Sequence, residues 1–190
     1  MIECLKPGQV GDHILDTFHI DGGTFYAICN GISGGDYTRL RYKGEVVMSD
    51  TQMEKSTNSF VMNYAHGDVL IGGLGIGMIL LEIDKNPSVT SITVIEKYAD
   101  VIELVGSQLP LSDKVTIINA DVFEWKPPKG TRYDCIYMDI WNYINEDVYQ
   151  EEMKPLKRKF SRYLKPKDIS PKRFNKCWAE SNARSGRRLW

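Results

Sequence analysis

The chain has 190 residues, 42% of them apolar, which is enough for one sizeable core with appendages, and its formal net charge is only −1. No apolar run approaches the roughly 20 residues that span a bilayer, and Met1–Gly8 lacks the basic-then-apolar order of a signal peptide, so a membrane is excluded as partner and a cytoplasmic setting is expected. Cys4, Cys29, Cys135 and Cys177 are widely spaced with no Cys-x-x-Cys pair, which favours a reduced compartment and speaks against a zinc site.

Residues 1–50 read as an N-terminal β-rich segment. Over 23–49 an antiparallel meander is expected: Thr24–Cys29, turns at Asn30-Gly31 and Gly34-Gly35, Tyr37–Tyr42, then a Lys43-Gly44 turn into Glu45–Met48. Thr51-x-x-Glu54 has the form of a capping box, assisted by Asp50, opening a helix to about Ala65. His66-Gly67-Asp68 ends it. From there to residue 163 strands alternate with helices: strand 68–72, helix 77–85, strand 91–96, helix 98–107, strand Val115–Asn119, a turn with Asp121, strand Asp134–Asp139, and helix 146–163. Such alternation predicts a Rossmann-like parallel sheet with helices on both faces. Beyond Leu164 no strand is convincing, and Phe174, Cys177 and Trp178 are spaced as one face of a short helix. Residues 164–190 therefore read as a basic C-terminal tail. Residues 154–190 carry 13 of the 24 Lys/Arg but only two of the 25 acids, Asp168 and Glu180. Such a segment suits nucleic acid, an anionic substrate or the acidic body of the same protein. With no base-reading motif beside it, a solvated face and self-association are the favoured readings.

The run Val69-Leu70-Ile71-Gly72-Gly73-Leu74-Gly75-Ile76-Gly77-Met78 is a buried strand, a turn where side chains would obstruct a ligand, and a helix N-terminus. Glu96 ends the next strand twenty-one positions after Gly75, the spacing at which an acid accepts ribose hydroxyls, with Lys97 beside it. Asp121 follows the third strand, placed either to accept from an adenine amine, with Val122 or Phe123 against the ring, or to cap a turn. Asp139 ends an apolar strand and is a candidate to hold an ammonium or take its proton; the alternative is a structural helix cap. Trp141, Asn142 and Tyr143 are candidate substrate walls. Right-handed crossovers bring Gly73–Gly77, Glu96, Asp121 and Asp139 to one sheet edge. His13, His19 and His66 lie far from that edge in this reading, without metal-ligand spacing, and receive no role; no metal is expected. The residues so far leave a dinucleotide as open as any other nucleoside ligand.

Taken together, Val69–Gly77, Glu96, Asp121 and Asp139 resemble the class I S-adenosylmethionine-dependent methyltransferases. Tyr42–Asp50, a helix, and then Gly67–Gly73 look like the spermidine synthase branch, in which a β-hairpin precedes the nucleotide-binding core. Ile71 stands where methyltransferases usually carry an acid, as apolar residues do in that branch. By this resemblance Gly72, Gly73, Gly75 and Gly77 would cradle the cofactor's methionine and ribose, Glu96 and Lys97 the ribose, and Asp121 and Val122 the adenine. Asp139 would orient and deprotonate the attacking amine. Ile140-Trp141-Asn142 departs from the branch's Ser/Asp/Pro-rich segment, and the branch also places a Gln near the position of Met48 in this hairpin. The resemblance also implies a fifth strand and final hairpin that this chain lacks, so its C-terminal strands look truncated, and either the basic tail or a second subunit (hence a homo-oligomer) would cover the pocket. The expected activity is S-adenosylmethionine-dependent methyl transfer to a small amine or other small nucleophile. Aminopropyl transfer from decarboxylated S-adenosylmethionine is the alternative, and a non-catalytic module with a nucleic-acid-binding tail the third reading.

Overall fold

Short antiparallel strands occupy the first fifty residues and parallel strands the rest. The computed structural model describes residues 2–29 and 32–187, so the Asn30-Gly31 turn and the last three residues lie outside the described residues. Strands β1 (Gly8–Val10), β2 (His13–Ile20), β3 (Gly35–Tyr42) and β4 (Glu45–Ser49) form a four-stranded antiparallel sheet in that order. The Lys43-Gly44 turn joins β3 to β4 as expected, both residues at positive φ (50° and 89°), the backbone that a two-residue hairpin needs. The strand beside β3, however, is β2, with Leu15 opposite Leu40. Thr24–Cys29, expected as that strand, instead contains helix α1 (Phe25–Cys29). Its start is fixed locally: Asp21 Oδ1 accepts the Gly23 N–H at 2.8 Å and Thr24 Oγ1 the Ala27 N–H at 3.2 Å. Capping there overrides the strand propensity of Phe, Tyr and Ile.

Asp50 stitches the hairpin to the helical segment after it, its carboxylate accepting the Thr38 N–H at 2.7 Å while its own N–H reaches the Thr38 carbonyl at 3.0 Å. The expected single helix is two, α2 (Gln52–Thr57) and α3 (Ser59–Tyr64), and Thr51 makes no side-chain cap. Asn58 breaks it: its side-chain N–H competes for the Glu54 carbonyl at 3.2 Å, and its backbone sits at φ −97°, ψ 0°.

The rest builds β5 (Gly67–Gly72), α4 (Met78–Asp84), β6 (Val89–Glu96), α5 (Ala99–Leu104), β7 (Val115–Asn119) and β8 (Cys135–Met138). A π-helical stretch at Val148–Met153 then runs into α6 (Lys154–Ser161). Pro155 accounts for the widened turn, since its ring crowds the carbonyl four residues back and it offers no N–H. Next is β9 (Phe174–Cys177), which pairs parallel with β8, and then α7 (Glu180–Ser185). The expected lack of a fifth strand is thereby corrected, while after β9 only α7, and no hairpin, follows among the described residues. Phe174 and Cys177, read as a helix face, are 8% and 4% exposed on an edge strand, and the Trp178 N–H extends the ladder to the Met138 carbonyl at 2.8 Å. Lys165 secures this segment, donating to Asp68 at 2.8 Å and Asp134 at 2.7 Å. Three spaced residues satisfy either period, so pattern alone cannot distinguish a four-residue strand from one helical turn.

The parallel sheet runs β7-β6-β5-β8-β9, the doubly wound order in which the chain reverses direction between β5 and β8. β8 is apolar and buried throughout and β5 from Val69 onward (Val69, Leu70 and Ile71 at 0–2%, Cys135 to Met138 at 0–3%), as a sheet covered on both faces demands.

Candidate functional site

A cavity of about 560 Å³ opens at the carboxyl ends of β5, β6, β7 and β8, closed on its far side by β3, β4 and α2. Its floor is the turn after β5. Gly73 holds φ +91°, and a Cβ there would strike the Asp139 carbonyl; Gly75 holds φ +53°, and a Cβ there would strike the Met48 sulfur. The turn is therefore pressed between the end of β8 and the last antiparallel strand, and both positions require glycine. The residues that line the cavity include Gly73 and Gly75, but not Gly72 or Gly77. Gly72 is buried at the end of β5 against Met138, and Gly77 (φ +75°) opens α4 against Leu109. These two shape the turn from behind.

Glu96 ends β6 with only 6% exposure. One carboxylate oxygen accepts the Leu74 N–H and the other the Tyr98 N–H, each at 2.8 Å. The carboxylate thus fixes the glycine turn while keeping lone pairs for a ligand in the cavity. Asp121 accepts the Phe123 N–H at 2.9 Å and meets Lys97 Nζ at 2.9 Å. Burial raises its pKa, but Lys97 and the Phe123 N–H outweigh that and hold the carboxyl below its ordinary value. One oxygen caps the turn, and the side chain lines the cavity, as do Lys97, Val122 and Phe123.

At the switch point Asp139 follows β8, its N–H bonded to the Gly72 carbonyl at 2.8 Å. Facing it from α2 is Glu54. Burial, and then the charge of Glu54, push the Asp139 carboxyl up to about 8, opposed by a hydrogen bond from Asn58. Burial lifts Glu54 to about 7, opposed by the Ser49 N–H. Two recessed carboxyls that resist ionising together can accept a proton near neutral pH. Glu54 is the first of the site residues that the sequence reading missed. Its place in a capping-box pattern explained it away, although the same helix follows the hairpin expected to close the site.

Trp141 and Asn142 line the cavity as expected, and Trp178 and Glu152 join them. The Trp141 indole donates to Glu152 Oε2 at 2.8 Å, and Trp178 donates to Thr57 Oγ1 at 3.1 Å. Tyr143 is 61% exposed and outside the cavity; the chain turns out to solvent one residue earlier than its role required. His13 needs the opposite correction. It is 2% exposed, lines the cavity, and stacks on Tyr42 at 4.7 Å and against Tyr98 at 4.8 Å. It reaches the edge on β2, a strand that its mixed polar sequence concealed. His66 is elsewhere, beside Cys135 Sγ at 3.3 Å. Burial pushes that free thiol up to about 12, leaving it a small apolar core residue.

No protein-family model matches the sequence, and no curated protein matches it. Among solved structures, the N-methyltransferase NodS from Bradyrhizobium japonicum WM9, in complex with S-adenosyl-L-homocysteine, is 17% identical, with 62% of this chain and 59% of that chain covered at a TM-score of 0.48. The plantazolicin methyltransferase BpumL in complex with SAH is 20% identical over 60% of this chain and 43% of that one, TM-score 0.45. An S-adenosylmethionine-dependent methyltransferase from Mesorhizobium loti is 14% identical over 60% and 51%, TM-score 0.45. The matched part spans 43–59% of the length of these three proteins.

In charge, the cavity is lopsided. Among the described residues, Glu54, Glu96, Asp121, Asp139 and Glu152 line it against a single lysine, Lys97, and no arginine. Such a wall repels a pyrophosphate and welcomes a cation.

Proposed function

We propose that this chain is an S-adenosylmethionine-dependent methyltransferase acting on a small amine. The observation that carries the reading is the acidic cavity at the β5/β8 switch point. A dinucleotide, equally open from the glycine turn alone, would bring two phosphate charges to a cavity whose five carboxyl groups face one lysine, itself paired with Asp121. Glu54 and Asp139 there already resist ionising together. A cofactor with a sulfonium centre and an ammonium group suits the same walls. In this reading Gly73 and Gly75 let the backbone approach the methionine part, Glu96 accepts the ribose hydroxyls, and Asp121 accepts the adenine amine, with Val122 and Phe123 against the ring. Met48 over Gly75 supports the spermidine synthase-like branch, since β4 closes the site as the last hairpin strand does there. The side of the cavity that was expected to need the basic tail or a second subunit is supplied in part by Trp178, just after β9.

When bound, the cofactor supplies an electrophilic methyl carbon. The chain supplies the rest. Trp141, Trp178 and the carboxyls of Glu54 and Asp139 would hold an ammonium in the cavity. Asp139 takes its proton, freeing the nitrogen lone pair for in-line attack. Because Asp139 titrates at about 8, turnover should rise with pH through about 8. Labelled methyl transfer from S-adenosylmethionine to a panel of small amines tests this, with decarboxylated S-adenosylmethionine as the control for aminopropyl transfer. Asp139→Asn should keep cofactor binding and lose turnover; full turnover in that variant would remove Asp139 as proton acceptor.

A further inference from the structure

Lysines of the basic C-terminal segment are bonded inside the molecule. Lys157 pairs with Glu180, and Lys165 with Asp68 and Asp134. Lys159, on α6, meets backbone instead: its ammonium donates to the Val122 carbonyl at 2.9 Å and the Phe123 carbonyl at 2.5 Å. Those carbonyls belong to the turn after β7, whose Val122 and Phe123 line the cavity, whereas Lys159 is not among its lining residues. The other end of the turn is held by Asp121. Its Oδ1 accepts the Phe123 N–H at 2.9 Å, its carbonyl accepts the Trp125 N–H at 2.8 Å, and its Oδ2 meets Lys97. Phe160 seats α6 against the same turn, its ring stacked on Trp125 at 6.4 Å between centroids. Phe123 is 39% exposed, so packing alone holds it weakly. Hydrogen bonds from an ammonium, roughly twice as strong as neutral ones, supply what packing does not.

We propose that Lys159 is a positioning residue for the cavity wall that receives the nucleoside base, holding the Val122 and Phe123 backbone from behind. Without its ammonium both carbonyls turn to water, and only the Asp121 end of the turn stays fixed. The side chains that would pack on the base then lose their set position, and ordering them again on binding costs affinity. The basic segment thereby serves the site through one buried bond set rather than through its surface charge. The sequence hides this, because Lys159 lies 37 and 36 positions from its two partners and reads as one more lysine in a basic run.

The inference rests on the reading of the cavity as an S-adenosylmethionine site, and two measurements on the full chain keep the two claims apart. The first is amide hydrogen exchange of the wild type, Lys159→Met and Lys159→Arg. Lys159→Met keeps the apolar stem and removes the donors. It should speed exchange of the Phe123 and Trp125 amides about tenfold and leave those of β5 unchanged. Lys159→Arg, which restores a cation with N–H donors, should stay within about threefold of wild type. The second is calorimetry with S-adenosylmethionine, in which Lys159→Met should bind about tenfold more weakly and Lys159→Arg within about threefold of wild type. Unchanged exchange at Phe123 and Trp125, or faster exchange with unchanged affinity, overturns the proposal. Should Lys159→Met not fold, Lys159→Gln decides by the same two readings. A wild type that binds no S-adenosylmethionine defeats the functional reading, and the exchange comparison then decides whether Lys159 holds the wall.

Discussion

Asp139→Asn should make the protein more stable, and increasingly so as pH rises. The carboxyl moves from an ordinary value of 3.8 to about 8 on folding, first through burial and then through the charge of Glu54. Between those pH values the folded state holds a proton that the unfolded state releases, so stability falls as pH increases across the interval. About four units at ~1.4 kcal/mol each set a ceiling of roughly 5–6 kcal/mol. The carboxyl faces an open cavity and part of its shift belongs to Glu54, so about half of that, ~2–3 kcal/mol, is expected. Asparagine keeps the shape, accepts the Asn58 N–H, offers its own amide to Glu54 and does not titrate. Urea denaturation at pH 5, 6.5 and 8 measures the difference. The variant should lie within about 1 kcal/mol of wild type at pH 5 and be ~2–3 kcal/mol more stable at pH 8. Parallel pH curves, or a variant less stable at pH 8, would refute the assignment of a reluctant carboxyl here.

Two further substitutions probe the frame around the site. Gly75→Ala forces a side chain at φ +53° into the Met48 sulfur; it should cost about 2 kcal/mol or more by thermal or urea unfolding and weaken cofactor binding at least tenfold. Combining it with Met48→Ala should recover part of the binding but not the backbone strain. Lys165→Met strips the cation from Asp68 and the buried Asp134 and should destabilise by roughly 2–4 kcal/mol at pH 7. Burial raises the Asp134 pKa, but Lys165 and the Asp68 N–H hold it below its ordinary value. That stabilisation is present above the ordinary carboxyl value of 3.8 and lost as pH falls through the lower folded value, so wild type and variant should converge at acid pH in the same assay.

The parts legible in the sequence were those set by short-range pattern. Glycines after an apolar run, and Glu96 and Asp139 at strand ends, sit where periodicity and spacing put them, because a buried parallel strand has little freedom in register or in which end faces the ligand edge. The misread parts depend on contacts between distant segments. Strand β2 carries His13, Asp16, Thr17 and His19, and it becomes a strand because β3 pairs with it along its whole length. Strand β9 is four residues on an edge, held by Met138 and, through Lys165, by Asp68 and Asp134. Glu54 and Asn58 look like ordinary helix residues until the fold of α2 over the switch point turns one towards Asp139 and buries the other against Tyr137. Their chemistry comes from who faces them, and no local window contains that.

The central claim is that the acidic cavity holds a sulfonium cofactor through Glu96 and the glycine turn. Calorimetric titration of the folded wild type and Glu96→Ala with S-adenosylmethionine, with NAD as the competing ligand, addresses it directly. Wild type should show saturable one-to-one binding of S-adenosylmethionine and none of NAD, and Glu96→Ala should lose the signal. Binding of NAD in place of S-adenosylmethionine, or affinity unchanged by Glu96→Ala, would contradict it.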